Sequence, residues 1–208
     1  MSDHRDSPVT PLADYPHPSV AVDTAVLTVQ ANALCVVLVH NERGWRLPGT
    51  FVHEGETLAD AVLRSLRDKA GIEGLRPRQL HVFDAPGRDD RGWVMSVAHL
   101  VVVPAASVPA GALTPWDAAH GLVYDHEQIL KLAVDTVRAE YAAAADPARL
   151  LGPEFTLLEL LRLHESVAGE RLGKDTFRRR VLPDLVATDA VQPGKVGKPA
   201  QLFRHRHQ

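Results

Sequence analysis

The stretch LPGTFVHEGETLADAVLRSLRDKAGI, Leu47 to Ile72, constrains the fold more than any other part of the chain. A loop from Asn41 to Glu56, rich in glycine and charge, runs straight into a segment where Leu58, Ala61, Val62, Leu66 and Ala70 recur at the spacing of one helical face. Thr57 stands where its side chain can cap the first turn, and Gly71 where a left-handed residue can close the last. A loop followed by an amphipathic helix is predicted here.

The flanking sequence supplies strands. VAVDTAVLTVQ and ALCVVLVH are apolar runs rich in β-branched residues, parted by a polar break at Ala31 and Asn32, and they read as a strand pair. QLHVFDAP and GWVMSVAHLVVVP read as two more strands around the turn GRDDRG. Val123 to Ala145 predicts a second helix, with Ile129, Leu130, Ala133, Val134 and Val137 on its buried side. Strands interleaved with two helices make an α/β or α+β sandwich.

A chain of 208 residues, 45% hydrophobic, can bury one good core and a second, smaller one, so one or two domains are expected. The N-terminal residues 1–18 are polar and proline-punctuated, which predicts a disordered or extended segment with no signal-type apolar run. Nowhere do about 18 uncharged apolar residues run together, so no membrane partner is expected and the cytoplasm is the expected compartment. The single cysteine, Cys35, sits in a core-strand setting and can form no internal disulfide.

Charge divides the chain unevenly near Leu150. Leu151 to Gln208 carries ten Lys and Arg against seven Asp and Glu, a net +3, which leaves −6 to the rest. An acidic body with a small basic tail suggests that only the tail meets a polyanion, although an unevenly charged solvated surface would give the same count. In that tail Thr156 and Glu159 have capping-box spacing, and Leu157, Leu160, Leu161, His164 and Val167 extend an apolar stripe ending at Gly169. A second short helix carries Lys174, Thr176 and Arg178-Arg179-Arg180, with Phe177, Val181 and Leu182 spaced to pack inward. LVATDAVQ, PGKVGKP and AQLFRHR then alternate strand, turn and strand, with Lys195 and Lys198 at the tip. Two helices closed by a basic-tipped hairpin outline a winged helix-turn-helix, a shape that places one helix in a major groove and the wing on the backbone. Adjacent helical positions lie about 100° apart, so the three consecutive arginines cannot all face DNA. The same residues also suit a solvated basic helix in a dimerisation module.

Leu47-Pro48-Gly49, Phe51-Val52, Glu54-Gly55-Glu56-Thr57, Ala61, Arg64, Leu66 and Gly71-Ile72 fall where a Nudix box has them, and the first domain resembles a Nudix fold. The family box, G-x5-E-x7-R-E-U-x-E-E-x-G-U, gathers glutamates on one helix face to hold divalent metal against a diphosphate. On that pattern Thr50 replaces the leading glycine, while Glu56 and Arg64 are kept. Ser65, Asp68 and Lys69 stand where three glutamates belong. Loss of two carboxylates and gain of an ammonium disfavours metal-assisted hydrolysis, so no catalytic residue and no metal or other cofactor is expected. Glu56 can instead receive Arg64 or cap the helix, and Asp68 can be a solvated acid. The segment Gly87 to Gly92, followed by Trp93, resembles one found in Nudix proteins that act on or bind ADP-ribose. Arg46, Glu56, Arg64, Arg88 and Arg91 are the candidate ligand-binding residues; Arg88 and Arg91 can alternatively be exposed turn charges, and His53 and His81 are weaker candidates.

Joined to FTLLELLRLHES, GKDTFRRRVLPDL and GKPAQLF, this domain resembles the Nudix-related transcriptional regulators, the NrtR family, over nearly the whole chain. The resemblance implies a Nudix-type α/β/α sandwich at 19–148 and a winged helix-turn-helix at 149–208. It further implies a repressor, or sometimes an activator, of NAD-metabolism genes that responds to ADP-ribose or a related nucleotide, although some relatives regulate sugar catabolism instead; the expected partner is duplex operator DNA, and two-fold operator symmetry suggests a homodimer. Lys174, Thr176, Arg178, Arg179 and Arg180 are then the recognition-helix candidates, with Lys195 and Lys198 on the wing. Two other readings stay open: a hydrolase of ADP-ribose or another nucleoside diphosphate using Glu56 and Asp68, and an adaptor whose basic tail meets an acidic protein.

Overall fold

A computed structural model describes residues 11, 14–109, 111–192 and 199–206. Its centre is β1 (Ser19–Gln30), whose interior is buried from Ala21 to Thr28. A two-residue turn at Ala31 and Asn32, both with positive φ (49° and 63°), folds β1 back onto β2 (Ala33–Val37). The hairpin of β3 (Val39–Asn41) and β4 (Gly44–Arg46) stands apart as its own small sheet. β5 (Gly49–Phe51) then pairs antiparallel with the first half of β1, with Asp23 opposite Gly49. β6 (Arg78–Phe83), β7 (Val94–Val102) and β8 (Leu113–Pro115) complete a six-stranded sheet in the order β6-β7-β1-β2-β8, in which β1 and β7 run parallel.

Period-two alternation along β1 feeds both faces of this sheet. Val22 and Val26 point toward α1 (Leu58–Ser65) and join Val37, Ala61, Val62, Leu66 and Ile72 in the smaller core. Ala25 and Leu27 point the other way, toward α2 (His126–Ala143), into the larger core. The expected α/β/α sandwich is thus present. The larger core does not stop at α2. It continues through β9 (Phe155–Thr156), α3 (Leu157–Ala168), α4 (Lys174–Val181), β10 (Leu185–Gln192) and β11 (Ala200–His205), taking in Phe155, Leu160, Phe177 and Phe203. β10, β11 and β9 form a three-stranded antiparallel wing sheet behind the two helices.

Three expectations are corrected. The segment read as loop from Asn41 to Glu56 contains β4 and β5, because β5 reaches β1 closely enough to pair where Gly49 has no side chain: a Cβ there would lie 1.8 Å from Asp23 Oδ1. The second helix begins at His126, not Val123, because Tyr124 adopts φ 59°, which no α-helix accommodates. The first helix does not run regularly to Gly71: Leu66–Ala70 winds as a π turn, with Gly71 N donating to Leu66 O five residues back and Ile72 N closing the end on the same carbonyl at 3.1 Å. The caps read from sequence are in place, since Thr57 forms a capping box with Asp60, Thr156 forms one with Glu159, and Gly71 and Gly169 are left-handed. Among the described residues no helix is long and apolar enough to cross a membrane.

Candidate functional site

The loop and helix of Leu47 to Ile72 are pinned together by one ion pair. Arg64 Nε donates to Glu56 Oε1 at 2.7 Å and Nη2 to Oε2 at 2.8 Å, while the same guanidinium reaches the Phe51 carbonyl at 2.9 Å and Thr50 Oγ1 at 3.3 Å. The guanidinium, helped by the His53 amide at 2.9 Å, holds the Glu56 carboxyl down at about 2. Both Glu56 oxygens are therefore occupied by the protein itself. The π turn then rotates Lys69 toward β5, where its ammonium donates to the Gly49 carbonyl. Asp68 on the same turn is exposed and pairs with Arg67 at 2.9 Å. Ser65 is buried, its hydroxyl without a partner among the described residues.

Beside this arrangement lies a cavity of about 260 Å³, walled by β1, the β3–β4 hairpin, β5, the loop 85–92 and the N-terminal end of α2. Five cations line it, Arg43, Arg46, Lys69, Arg88 and Arg91, against the carboxylates of Asp23, Glu42 and Asp89. Most of the cations are already matched. Arg88 is buried to 4% and forks onto Asp125 at 2.8 and 2.5 Å, with Asp23 at 3.7 Å. Arg91 forks onto Asp89 at 2.8 and 2.6 Å, and this guanidinium pulls the Asp89 carboxyl down to about 2. The aromatic rings of Phe51 and Tyr124, at 5.0 and 5.2 Å, hold Arg91 between them. Arg43 reaches Asp90 at 3.0 Å across the loop.

Two cations are left over. Among the described residues neither Arg46 nor Lys69 has a carboxylate partner, and Arg46 Nε is a buried donor with no acceptor. Burial and the neighbouring Arg46 push the Lys69 ammonium below its usual range, with Asp23 opposing. The hydroxyl of Tyr124, buried in the same cavity, also has no partner among the described residues. A buried donor without an acceptor costs about 1 to 3 kcal/mol, and Tyr124 adds the strain of a left-handed backbone, a cost that no described residue relieves. His126 completes the inner wall: Leu47 N donates to its Nδ1 at 3.0 Å, which leaves its proton on Nε2, 3.4 Å from Asp23 Oδ1, and burial favours this neutral form.

Of the five candidate ligand residues, Arg46, Arg88 and Arg91 line the cavity, while Glu56 and Arg64 do not and sit behind Thr50 and Phe51. Arg88 is no exposed turn residue but a buried strut. Lys69 and Tyr124 line the cavity without being among the sequence candidates, and for Tyr124 no local signal announces its left-handed backbone or its place in the wall. As for metal, among the described residues no group of three His, Cys, Asp or Glu is placed to hold an ion. With Glu56 consumed by Arg64, Asp68 turned to solvent and an ammonium at position 69, the residues present do not fit the divalent cations that hydrolytic members of the fold require.

The basic tail forms the second candidate site. α4 spans two turns, about 12 Å, with Lys174, Thr176, Arg178 and Arg179 exposed on its outer side and Phe177 and Val181 buried beneath. Among the described residues no carboxylate pairs with Arg178 or Arg179. Arg180 turns back: its guanidinium donates to the carbonyls of Tyr141 (3.1 Å) and Ala142 (2.7 Å), the last turn of α2, and packs against Phe177. Arg180 is thus the arginine spent on protein. Lys195 and Lys198 lie outside the described residues.

Comparison with known proteins follows this division. The chain matches the NUDIX domain family over residues 17–144 and the NrtR DNA-binding winged helix domain over residues 147–205. It is similar to an ADPR responsive transcriptional repressor NtrR of Acinetobacter baylyi, 29% identical over 92% of this chain and 84% of that protein. It is also similar, in the first part only, to an ADP-ribose pyrophosphatase of Methanocaldococcus jannaschii, 33% identical over 58% of this chain and 70% of that protein. Among solved structures, NrtR of Shewanella oneidensis complexed with a 27mer DNA superposes with a TM-score of 0.73 at 27% identity, covering 90% of this chain and 93% of the other. The NUDIX domain of the same protein complexed with ADP ribose superposes with a TM-score of 0.53 at 25% identity, covering 62% and 94%. The chain belongs to the Nudix family, and within it to the NrtR proteins, which carry a DNA-binding winged helix domain behind the Nudix domain.

Proposed function

We propose that this protein is a transcriptional repressor that binds duplex operator DNA through residues 149–208 and releases or tightens that grip when ADP-ribose or a related nucleotide enters the cavity of residues 19–148. The observation that carries this reading is the pair of uncompensated cations, Arg46 and Lys69, beside the orphaned Tyr124 hydroxyl. Together they offer two positive charges and directed donors to a dianionic diphosphate. The likeness to an ADPR responsive repressor, and to NrtR proteins solved with DNA and with ADP ribose, supports the same ligand and the same partner. NAD-metabolism genes are the proposed targets.

Helix α2 gives the ligand a route to the DNA. Its eighteen residues extend about 27 Å, from Asp125 and His126, which hold Arg88 and face Asp23 at the cavity, to Tyr141 and Ala142, whose carbonyls hold Arg180 of the recognition helix. A ligand that draws on Arg88, Asp23 or Tyr124 changes what fixes one end of this rod, and the other end sets the pose of α4. It acts only as far as it binds two poses of α4 unequally. A homodimer of such chains would present two recognition helices to a two-fold operator, and light scattering that finds a monomer bound to DNA would remove this part of the proposal.

The likeness to an ADP-ribose pyrophosphatase favours a second reading, hydrolysis. Glu56 held by Arg64, Asp68 on the surface and Lys69 at the cavity argue against it, because a two-metal displacement needs several carboxylates on one face. Genomic footprinting of the purified protein, with and without ADP-ribose, tests target and effector together. Cleavage of ADP-ribose to AMP and ribose 5-phosphate in magnesium or manganese, abolished by Glu56→Gln, would establish the hydrolase instead.

A further inference from the structure

Lys69 is one of the two cations on which the proposed function rests. It is carried into the cavity wall by the π turn that ends the first helix, and its ammonium is anchored on the Gly49 carbonyl. It sits beside Arg46 with no carboxylate partner among the described residues. Such a placement costs desolvation and like-charge repulsion, which shift the group toward its neutral form, and among the described residues Asp23 opposes that shift only from beyond ion-pair distance. An anion in the cavity would.

We propose that Lys69 supplies the positive charge that divalent metal supplies in hydrolytic relatives of this fold, so that the cavity binds a diphosphate diester without any metal. The proposal rests on the cavity being a diphosphate site, and it goes further by naming what neutralises the ligand. The chemistry also accounts for binding without cleavage. An ammonium offers charge and three donors but no vacant coordination position, so it holds a diphosphate oxygen yet neither lowers the pKa of a bound water nor aligns it for attack at phosphorus. Arg46 supplies the second charge through a donor that is already buried and unsatisfied, and Tyr124 a neutral hydroxyl donor on the same wall. Arg88 and Arg91, engaged by Asp125 and Asp89, shape the wall more than they neutralise the anion.

The test is calorimetric titration of the full chain with inorganic pyrophosphate and, separately, with ADP-ribose, each in EDTA and in magnesium. Wild-type protein is expected to bind both equally well in the two conditions. Lys69→Met, which keeps the aliphatic stem, should bind either anion about tenfold more weakly or worse in EDTA, as removal of a charge-assisted hydrogen bond requires. Lys69→Arg, which keeps the charge, should bind within a few fold of wild type and guards against misfolding as the cause. Lys69→Glu should fail to bind in EDTA and recover part of its affinity when magnesium is added. Wild-type binding that requires magnesium, or a Lys69→Met protein that binds as tightly as wild type in EDTA, overturns the proposal. Pyrophosphate bound in EDTA without ADP-ribose leaves Lys69 its role and removes the proposed effector. Binding of neither anion in any condition removes both.

Discussion

Arg180 Nη2 lies 3.1 Å from His164 Nδ1, and the opposite nitrogen of that ring, Nε2, lies 2.5 Å from the carbonyl of Ala145. Only one protonation state satisfies both contacts. Nε2 carries the proton and donates to Ala145, while Nδ1 is bare and accepts from Arg180. Through this imidazole α4, α3 and the segment following α2 are locked together, and Arg180 adds its bonds to Tyr141 and Ala142.

Arg180→Ala therefore separates the lock from the DNA-facing surface. It strands two carbonyls and an imidazole nitrogen, which should cost about 1 to 3 kcal/mol and lower the melting temperature by roughly 2 to 4 °C for each kcal/mol. Calorimetric melting measures the loss. The slope of log affinity for DNA against log salt should stay at its wild-type value; a fall of about one would mean that Arg180 neutralises a phosphate.

Arg178→Ala and Arg179→Ala should behave in the opposite way. Both side chains are exposed and free of carboxylates among the described residues, so the melting temperature should hardly change. Each single variant should release one phosphate and reduce the salt slope by about one, and the double variant should reduce it by about two. Fluorescence anisotropy on a duplex operator across 50 to 200 mM salt, roughly the range over which phosphate binding weakens most, reads this directly. Unchanged affinity and slope in the double variant would favour an adaptor role for the tail.

Acid should weaken the fold through His164. Burial, more than any other influence, pushes its pKa down, with Arg180 acting in the same sense and the Ala145 carbonyl and Asp146 opposing. A histidine depressed in the folded state takes up its proton more readily when unfolded, so its contribution is complete above the ordinary value of 6.5 and is lost as pH falls through it. His99, His126 and His205 are depressed too, so the melting temperature should drop by several degrees between about pH 7.5 and 5.5. In His164→Gln, whose amide can donate to Ala145 and accept from Arg180, the drop should be shallower. An equally steep drop in that variant would show that the ring is not the sensitive group.

Local rules reached far into this fold. Thr57, Gly71, Thr156 and Gly169 announce their helix ends because capping chemistry is settled within four residues of chain. Helical geometry requires three consecutive arginines to point in different directions, but that Arg180 is the one bonded to protein depends on the carbonyls of Tyr141 and Ala142, some forty positions away. β5 stayed hidden because three half-buried residues carry no strand pattern, and it exists through pairing with β1. The cavity was half legible. Arg46, Arg88 and Arg91 stand out as cations near a phosphate-type loop, but that Arg88 would be consumed by Asp125 is a long-range fact. Tyr124 and the inward turn of Lys69 depend on a left-handed residue and a π turn, neither of which has a reliable signature in one sequence.

The most direct test is reciprocal coupling between cavity and DNA. Operator affinity is measured by anisotropy with and without saturating ADP-ribose, in EDTA, and ADP-ribose affinity by calorimetry with and without operator. The expected result is a change of about 5- to 150-fold in each, equal in size because one coupling free energy governs both. Operator binding that is indifferent to ADP-ribose and to every related nucleotide, or cleavage of ADP-ribose to AMP and ribose 5-phosphate when magnesium replaces EDTA, would contradict it.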